Sequence, residues 1–241
     1  DGSYRSMNSG SELSLRGITG KFGLQYEQKL GDKVSMTIGA TYKMGTKMKG
    51  YSTNFRFANM ASVSDTLKYS VDTLAKTGAR FGDEIGVGIS FKNADKWSAE
   101  FNYTRSDWTK SGLDNAPGFS VIGDSKFTTT VSNSYRAGFE IVPDRNDIRR
   151  YLNRCAYRAG VYYDQSYYKM DGHAVNSMGL TFGITFPIEN ANSYRIYNGV
   201  SLGVDIGQRA STRNNLIRER YVMFVIGFNI HDLWFIKNQY R

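Results

Sequence analysis

Apolar and polar side chains alternate along the segment from Tyr221 to Ile230, near the end of the sequence. Successive side chains of a β-strand point to opposite faces, so one face of this segment would be wholly apolar and the other mixed. The apolar face would carry Val222, Phe224, Ile226, Phe228 and Ile230. A stripe about ten residues long is typical of a transmembrane β-strand, although one strand of a soluble β-sandwich would look the same.

Eight earlier segments repeat the pattern, with an apolar face that carries almost no charge and a second face of Gly, Ser, Thr and single charges. These predicted strands lie at about 14–30, 34–44, 85–91, 97–104, 127–142, 157–163, 178–186 and 200–207. Residues 1–12 are polar and are predicted to form a loop. With the last segment, the pattern predicts nine strands.

The predicted connections alternate between short and long. The short ones lie at 31–33, 93–96, 143–150 and 190–193, and the long ones at 48–82, 108–126, 165–175 and 209–218. Within the first long connection, Leu67–Ala75 has the spacing of a short helix. Short periplasmic turns and longer extracellular loops are typical of outer-membrane barrels, whereas a soluble sandwich has no reason to keep this rhythm. The sequence therefore predicts an all-β fold, a transmembrane antiparallel β-barrel in the bacterial outer membrane, with residues 1–241 in one domain.

Composition agrees with this interpretation. Gly occurs 25 times and aromatic residues make up 14% of the chain, as suits a crowded lumen and aromatic girdles. No run approaches 18 apolar residues, so no transmembrane helix is predicted. The net charge of +9 comes from scattered basic residues, which favours contact with anionic lipid headgroups over nucleic-acid binding.

The sequence contains no residue pattern typical of catalysis or metal binding. Cys155 is the single cysteine, which excludes a disulfide within the chain and a cysteine metal cluster. His173 and His231 are the two histidines, and neither has a patterned Ser or Cys partner. We therefore predict no enzyme activity, no metal and no cofactor.

Nine strands are an unusual number for a closed antiparallel barrel. If the last strand ends in the periplasm, residues 1–12 lie on the extracellular side. Single-chain bacterial barrels normally have an even strand number, with both termini in the periplasm. We therefore expect an odd number of further strands to precede this sequence, together with a plug.

Two stretches resemble FadL-like outer-membrane transport proteins. Residues 18–45 do so through Phe22-Gly-Leu-Gln-Tyr-Glu27 and Met36-Thr-Ile-Gly-Ala-Thr-Tyr-Lys43. Residues 200–241 resemble versions found in Bacteroidetes through Gly207–Glu219 and Gly227–Lys237. The resemblance implies a 14-stranded barrel, a hatch within it, and passive uptake of hydrophobic molecules such as fatty acids. The family also includes barrels that belong to secretion machinery.

Charged residues on the polar faces of the predicted strands are candidate lumen residues, because a charge on a spanning strand must face water or a partner. They are Lys43, Glu84, Glu100, Arg136, Glu140, Arg158, Asp164 and Asp205. Arg136 and Arg158 are expected to meet Glu100 or Glu140. The set would either orient an amphipathic carboxylate or form a structural ion-pair network that packs the lumen.

Large apolar residues in the connection at 48–82 are candidates for ligand capture or for docking of another protein. They are Phe55, Phe57, Met60, Leu67 and Leu74. Two functions follow from these features: passive uptake of hydrophobic or amphipathic small molecules, or an accessory barrel in an outer-membrane secretion or assembly complex. The predicted partners are outer-membrane lipid, a hydrophobic ligand and other outer-membrane proteins.

Overall fold

The computed structural model describes residues 6–60, 63–73, 79–94, 96–115, 121–122, 125–188, 198–210 and 216–229. The strands before the middle of the chain are β1 (Ser6–Arg16), β2 (Lys21–Lys29), β3 (Val34–Lys43), β4 (Lys49–Met60), β5 (Val63–Thr73), β6 (Glu84–Asn93) and β7 (Trp97–Asp107). The later strands are β8 (Val121–Ile122), β9 (Ser125–Thr129), β10 (Val131–Ile141), β11 (Ala156–Met170), β12 (His173–Ile188), β13 (Asn198–Arg209) and β14 (Glu219–Asn229). A single α-helical turn, α1 (Tyr151–Arg154), and a 3-10 turn, Leu113–Asn115, complete the elements.

Nine strands form one antiparallel meander. Their order is β2-β3-β6-β7-β10-β11-β12-β13-β14. The short strand β9 pairs with the last three residues of β11, Tyr168–Met170. These nine strands correspond to the nine predicted from the alternating pattern, so the all-β antiparallel fold is confirmed. In register, Phe101 lies opposite Ala137 and Ala137 opposite Val161, so apolar side chains of neighbouring strands share a face.

A second sheet of three strands, in the order β1-β4-β5, continues from one end of the meander. The predicted loop at 1–12 is wrong from Ser6 onward, because β1 begins there and pairs with β4. The predicted helix at Leu67–Ala75 is also wrong over 67–73, because these residues belong to β5, while residues 74 and 75 lie outside the described residues. Backbone pairing with a neighbouring strand stabilises these polar segments without an apolar stripe, so the period-two pattern does not reveal them.

The predicted long connection at 165–175 is wrong as well. β11 and β12 continue to a tight turn at Asp171 and Gly172, whose φ angles are 49° and 78°. Asp-Gly is a favoured pair for such hairpin turns, since both central residues take positive φ. The predicted connection at 108–126 contains the 3-10 turn and β8 and ends at β9, and the single strand predicted at 127–142 is divided into β9 and β10.

Few apolar side chains of the described residues are buried. The buried ones are Met48, Ala79, Val142, Cys155 and Val175. Most large apolar side chains instead lie on one face of the nine-strand sheet, which we call the outward face, and they are exposed. Leu24 is 78% exposed, Phe224 77% and Phe182 52%. No helix among the described residues is long and apolar enough to cross a membrane.

Candidate functional site

The opposite face of the nine-strand sheet, which we call the polar face, carries the candidate charges at mid-strand. A cavity of about 690 Å³ lies over β7, β10, β11, β12, β13 and β14. Its charged lining residues are Glu100, Arg136, Glu140, Arg158, Asp164 and Asp205. Six of the eight predicted lumen charges therefore share one cavity, because strand register places them on neighbouring strands.

Arg158 of β11 pairs with Glu140 of β10, its direct neighbour in register. The Arg158 Nε atom donates to a Glu140 carboxylate oxygen at 2.5 Å, and an Nη atom donates to the Thr185 hydroxyl at 2.9 Å. The Thr185 hydroxyl lies 2.8 Å from the Ser201 hydroxyl. A chain of polar contacts therefore links four neighbouring strands, and Arg158 meets one of its two expected partners.

Arg136 of β10 meets Asp164 of β11 instead of the expected Glu100 or Glu140. Its Nη atom lies 3.6 Å from the Asp164 carboxylate, which also accepts a hydrogen bond of 2.5 Å from the Ser134 hydroxyl. Glu100 lines the cavity and makes no ion pair among the described residues. Four carboxylates and two guanidinium groups therefore give the described lining of the cavity a net negative charge.

Tyr162 of β11 connects three strands across the polar face. Its hydroxyl lies 3.1 and 3.3 Å from the two carboxylate oxygens of Asp205 on β13, and it also contacts the hydroxyl of Tyr221 on β14. Gly179 lies under the Tyr162 ring, and Gly207 lies against both tyrosines, so a β-carbon at either position would overlap with a ring. The alternating pattern of the predicted strand at 157–163 does not indicate this role of Tyr162, because the role depends on the register with Gly179 and Gly207.

The two remaining predicted charges lie away from the cavity, at the end of the sheet that adjoins the three-stranded sheet. Glu84 pairs with Lys21 at 3.2 Å, while the Lys43 ammonium lies 5.4 Å from the centre of the Phe81 ring. Lys43 and Glu84 are in register but do not pair with each other. This end of the sheet is therefore held by separate contacts.

Asp83 fixes the junction between the two sheets. Its carboxylate accepts hydrogen bonds from the Gly45 amide at 2.8 Å, the Tyr42 hydroxyl at 3.0 Å and the Arg80 guanidinium at 2.8 Å. The Gly45 amide and the Tyr42 hydroxyl favour the ionised form and hold the pKa of Asp83 below its ordinary value. Sequence reasoning did not identify this cluster, because its members come from two segments that are far apart in the sequence.

The candidate loop residues lie in the three-stranded sheet. Phe55, Phe57 and Met60 belong to β4 and Leu67 to β5, while Leu74 lies outside the described residues. The backbone therefore places four of the five candidates on paired strands, whereas the sequence predicted a loop. Their capture or docking role stays a prediction.

Two adjacent rows mark one border of the outward apolar face. Tyr103, Tyr135 and Tyr163 form a row of neighbouring rings, with centroids 4.9 and 6.3 Å apart. The next row towards the β1-β4-β5 end is polar: Asn133 accepts from the Tyr103 hydroxyl at 2.9 Å and donates to Gln165 at 2.8 Å. Tyrosines beside hydrogen-bonded amides are typical of a membrane–water interface.

A second cavity, of about 530 Å³, lies at β11 to β14. Its apolar lining residues are Val161, Met178, Leu180, Ile206 and Val222. They belong to the outward face, so this cavity faces away from the ion pairs. Among the described residues, no group of three His, Cys, Asp or Glu side chains could hold a metal ion.

Comparisons with known proteins place these features in a family. A solved structure described as "CymD monoaromatic hydrocarbon channel" is similar at 18% identity and a TM-score of 0.47, covering 80% of this chain and 47% of that chain. The chain thus spans about half the length of that relative. No curated protein matches the sequence. The family model described as BamG matches residues 3–241, nearly the whole sequence, so the chain belongs to the BamG family.

Proposed function

We propose that this chain forms the wall of an outer-membrane β-barrel and works as a membrane-embedded accessory subunit of an outer-membrane assembly complex. The membrane location is supported chiefly by the outward face, where large apolar side chains of neighbouring strands lie exposed side by side. Soluble monomers rarely expose large contiguous apolar patches, so a face of this kind favours contact with lipid. Contact with lipid removes it from water at a gain of about 1.5–3 kcal/mol per fully buried large side chain.

Spanning a bilayer with strands requires a closed sheet, because lipid cannot satisfy the backbone groups of an open edge. In the described sheet β2 and β14 are the edge strands. They stand at the ends of a nine-strand antiparallel path, so they run in the same direction. Closure by antiparallel pairing alone therefore needs an odd number of further strands, and we propose that additional N-terminal strands supply them within the same barrel.

Two features of the molecule favour an accessory subunit. The cavity on the polar face is lined by six charged residues, four of which form two ion pairs, and this charged lining is poorly suited to a hydrophobic molecule. In addition, β4 alone has 12 residues and so extends roughly 40 Å, which gives the three-stranded sheet a large surface for a partner protein. The family name BamG, which points to an assembly-related role, agrees with this choice.

Uptake of hydrophobic molecules is the second candidate. The apolar cavity beside Leu180, Ile206 and Val222 supports it, because a hydrophobic molecule would find apolar walls there. Such a site opens on the lipid side of the sheet, so it suits exchange with the bilayer. A continuous path from this cavity to the polar face would be required for transport.

The test places a photo-crosslinking amino acid at Tyr51, which lies in β4 and is exposed, in the full-length protein in cells. The matched control carries the same group at Phe182 on the outward face. An accessory subunit predicts a discrete adduct with another outer-membrane protein from position 51 and lipid adducts from position 182. Uptake would be favoured instead if position 51 gave no protein adduct and the purified protein carried one hydrophobic molecule per chain.

A further inference from the structure

The connection between β10 and β11 differs from the other described connections at the same end of the sheet. Residues 142–155 form it, whereas β2 joins β3 through 30–33 and β6 joins β7 through 94–96. The longer connection contains α1 and lies at the short-turn end, the periplasmic end of an outer-membrane barrel. It is therefore an elaborated element where a tight turn would suffice.

This connection is held in one conformation by its own polar groups. The Asp147 carboxylate accepts hydrogen bonds from the Arg149 amide at 2.8 Å, the Arg150 amide at 3.0 Å and the Asn153 side chain at 2.6 Å. The Asp144 amide donates to the Asn153 carbonyl at 2.8 Å. A preformed loop loses little conformational freedom when it binds a partner.

The surface of the connection combines apolar and basic side chains. Ile148 is 93% exposed and Leu152 60% exposed, four residues apart. Arg149 and Arg150 are exposed beside them and make no ion pair with a residue that the structure describes. The segment 143–154 holds four arginines and two aspartates, a net charge of +2.

The connection also adjoins the outward face directly. The Tyr157 hydroxyl donates to the Leu152 carbonyl at 3.0 Å, and Tyr157 lies opposite both Ile141 and Ile184 in the last outward row. The Tyr151 hydroxyl donates to the Pro187 carbonyl at 2.9 Å, which joins α1 to the end of β12. The exposed apolar residues of the connection are thereby attached to the border of the apolar face.

We infer that residues 143–154 form a binding surface for anionic phospholipid at the inner leaflet of the outer membrane. Ile148 and Leu152 enter the boundary between headgroups and acyl chains, while Arg149 and Arg150 bind the lipid phosphates. The guanidinium group suits phosphate because it offers paired donors in a fixed plane. The inference rests on the proposed membrane location, since without a bilayer the surface has no such ligand.

The experiment uses the full-length protein reconstituted in vesicles of phosphatidylethanolamine and phosphatidylglycerol. A spin label is attached at Ile148→Cys. Collisions with dissolved oxygen, which concentrates in lipid, indicate that the label lies in the bilayer, whereas collisions with a water-soluble nickel chelate indicate that it lies in water. A label at Leu180→Cys on the outward face reports insertion separately. Cys155 is 0% exposed, so the added cysteine is the one that reacts. Selectivity for phosphatidylglycerol over phosphatidylcholine is measured with spin-labelled lipids.

We expect both labels to be accessible to oxygen and shielded from the nickel chelate. Arg149→Ala and Arg150→Ala should weaken selectivity for phosphatidylglycerol by about fivefold each. The control pair Lys110→Ala and Lys126→Ala, at the opposite end of the sheet, should leave it unchanged.

Three results would overturn the inference. If the label at 148 contacts water while the label at 180 contacts lipid, the binding surface is refuted and the proposed membrane location still holds. Both labels in water refute the proposed location as well. Shielding at 148 that appears only when periplasmic proteins are added would assign the surface to a protein partner.

Discussion

The Tyr162 hydroxyl reaches across β12 to the carboxylate of Asp205 on β13, at 3.1 and 3.3 Å from its two oxygens. The strand between them has Gly179 at the crossing point, so no side chain stands in the way. The Tyr162 side chain lies over this glycine and so links β11 to β13 directly. Backbone hydrogen bonds link only adjacent strands. Tyr162 and Asp205 both line the polar cavity.

Gly179→Ala should destabilise the protein, because the new β-carbon would overlap with the Tyr162 ring. We expect a loss of about 1–3 kcal/mol in the free energy of unfolding, typical of overpacking, measured by urea unfolding in detergent. Gly183→Ala is the matched control on the same strand and face, where the nearest atoms lie at 3.4 and 3.9 Å. Equal losses for the two variants would refute the role of Tyr162. Tyr162→Ala should offset part of the Gly179→Ala loss, since the two residues interact directly.

The ion pair between Arg158 and Glu140 should contribute modestly to stability. Its side chains are 49% and 31% exposed, so water screens the charges. We expect Glu140→Gln to cost about 1 kcal/mol or less, and the cost should fall further as salt is added. A loss of several kcal/mol that is independent of salt would contradict this expectation and would show that a plug or partner buries the pair.

The connection between β10 and β11 should lose order in acid. Hydrogen bonds from the Asn153 side chain and from the Arg150 and Arg149 amides hold the pKa of Asp147 below its ordinary value of 3.8. A lowered pKa stabilises the folded form at pH values above 3.8, and this stabilisation is lost as pH falls through the lowered pKa. The protection factors for hydrogen exchange at residues 149–154, which correct for the pH dependence of the intrinsic exchange rate, should therefore fall as the pH drops below 3.8.

Two variants test the assignment to Asp147. Asp147→Asn should remove the acid transition and leave the connection less protected at neutral pH. Asp32→Asn, in the turn between β2 and β3, is the control and should leave exchange at 149–154 unchanged. An acid transition that persists in Asp147→Asn would rule out this carboxylate as its source.

Strict alternation made the nine strands of the meander predictable. Along β3 and β14, apolar residues occupy every second position, and only a strand places them on one side. β1, β4 and β5 were missed because their sequences are mostly polar and lack that period. A short helix was predicted from Leu67 onward, but residues 67–73 belong to β5, which pairs with β4.

The candidate charges were predictable as a set, since polar positions of successive strands face the same side. Their partners were not, because pairing depends on register and side-chain reach. Arg158 meets Glu140 directly opposite, whereas Arg136 meets Asp164, one diagonal step along β11. The pair Asp171-Gly172 is a hairpin signal in the sequence. It was overlooked because the alternation of apolar and polar residues is no longer evident after Asp164.

A membrane-spanning sheet of this kind would have lipid against its outward face and water against its polar face. Phe101 and Asn102 are consecutive residues of β7, both exposed, one on the outward face and the other on the polar face. The decisive measurement compares spin labels at Phe101→Cys and Asn102→Cys in the full-length protein in vesicles. We expect the label at 101 to be accessible to oxygen and shielded from a water-soluble nickel chelate, and the label at 102 to behave in the opposite way. Labels that both contact the chelate freely would contradict a membrane-spanning sheet.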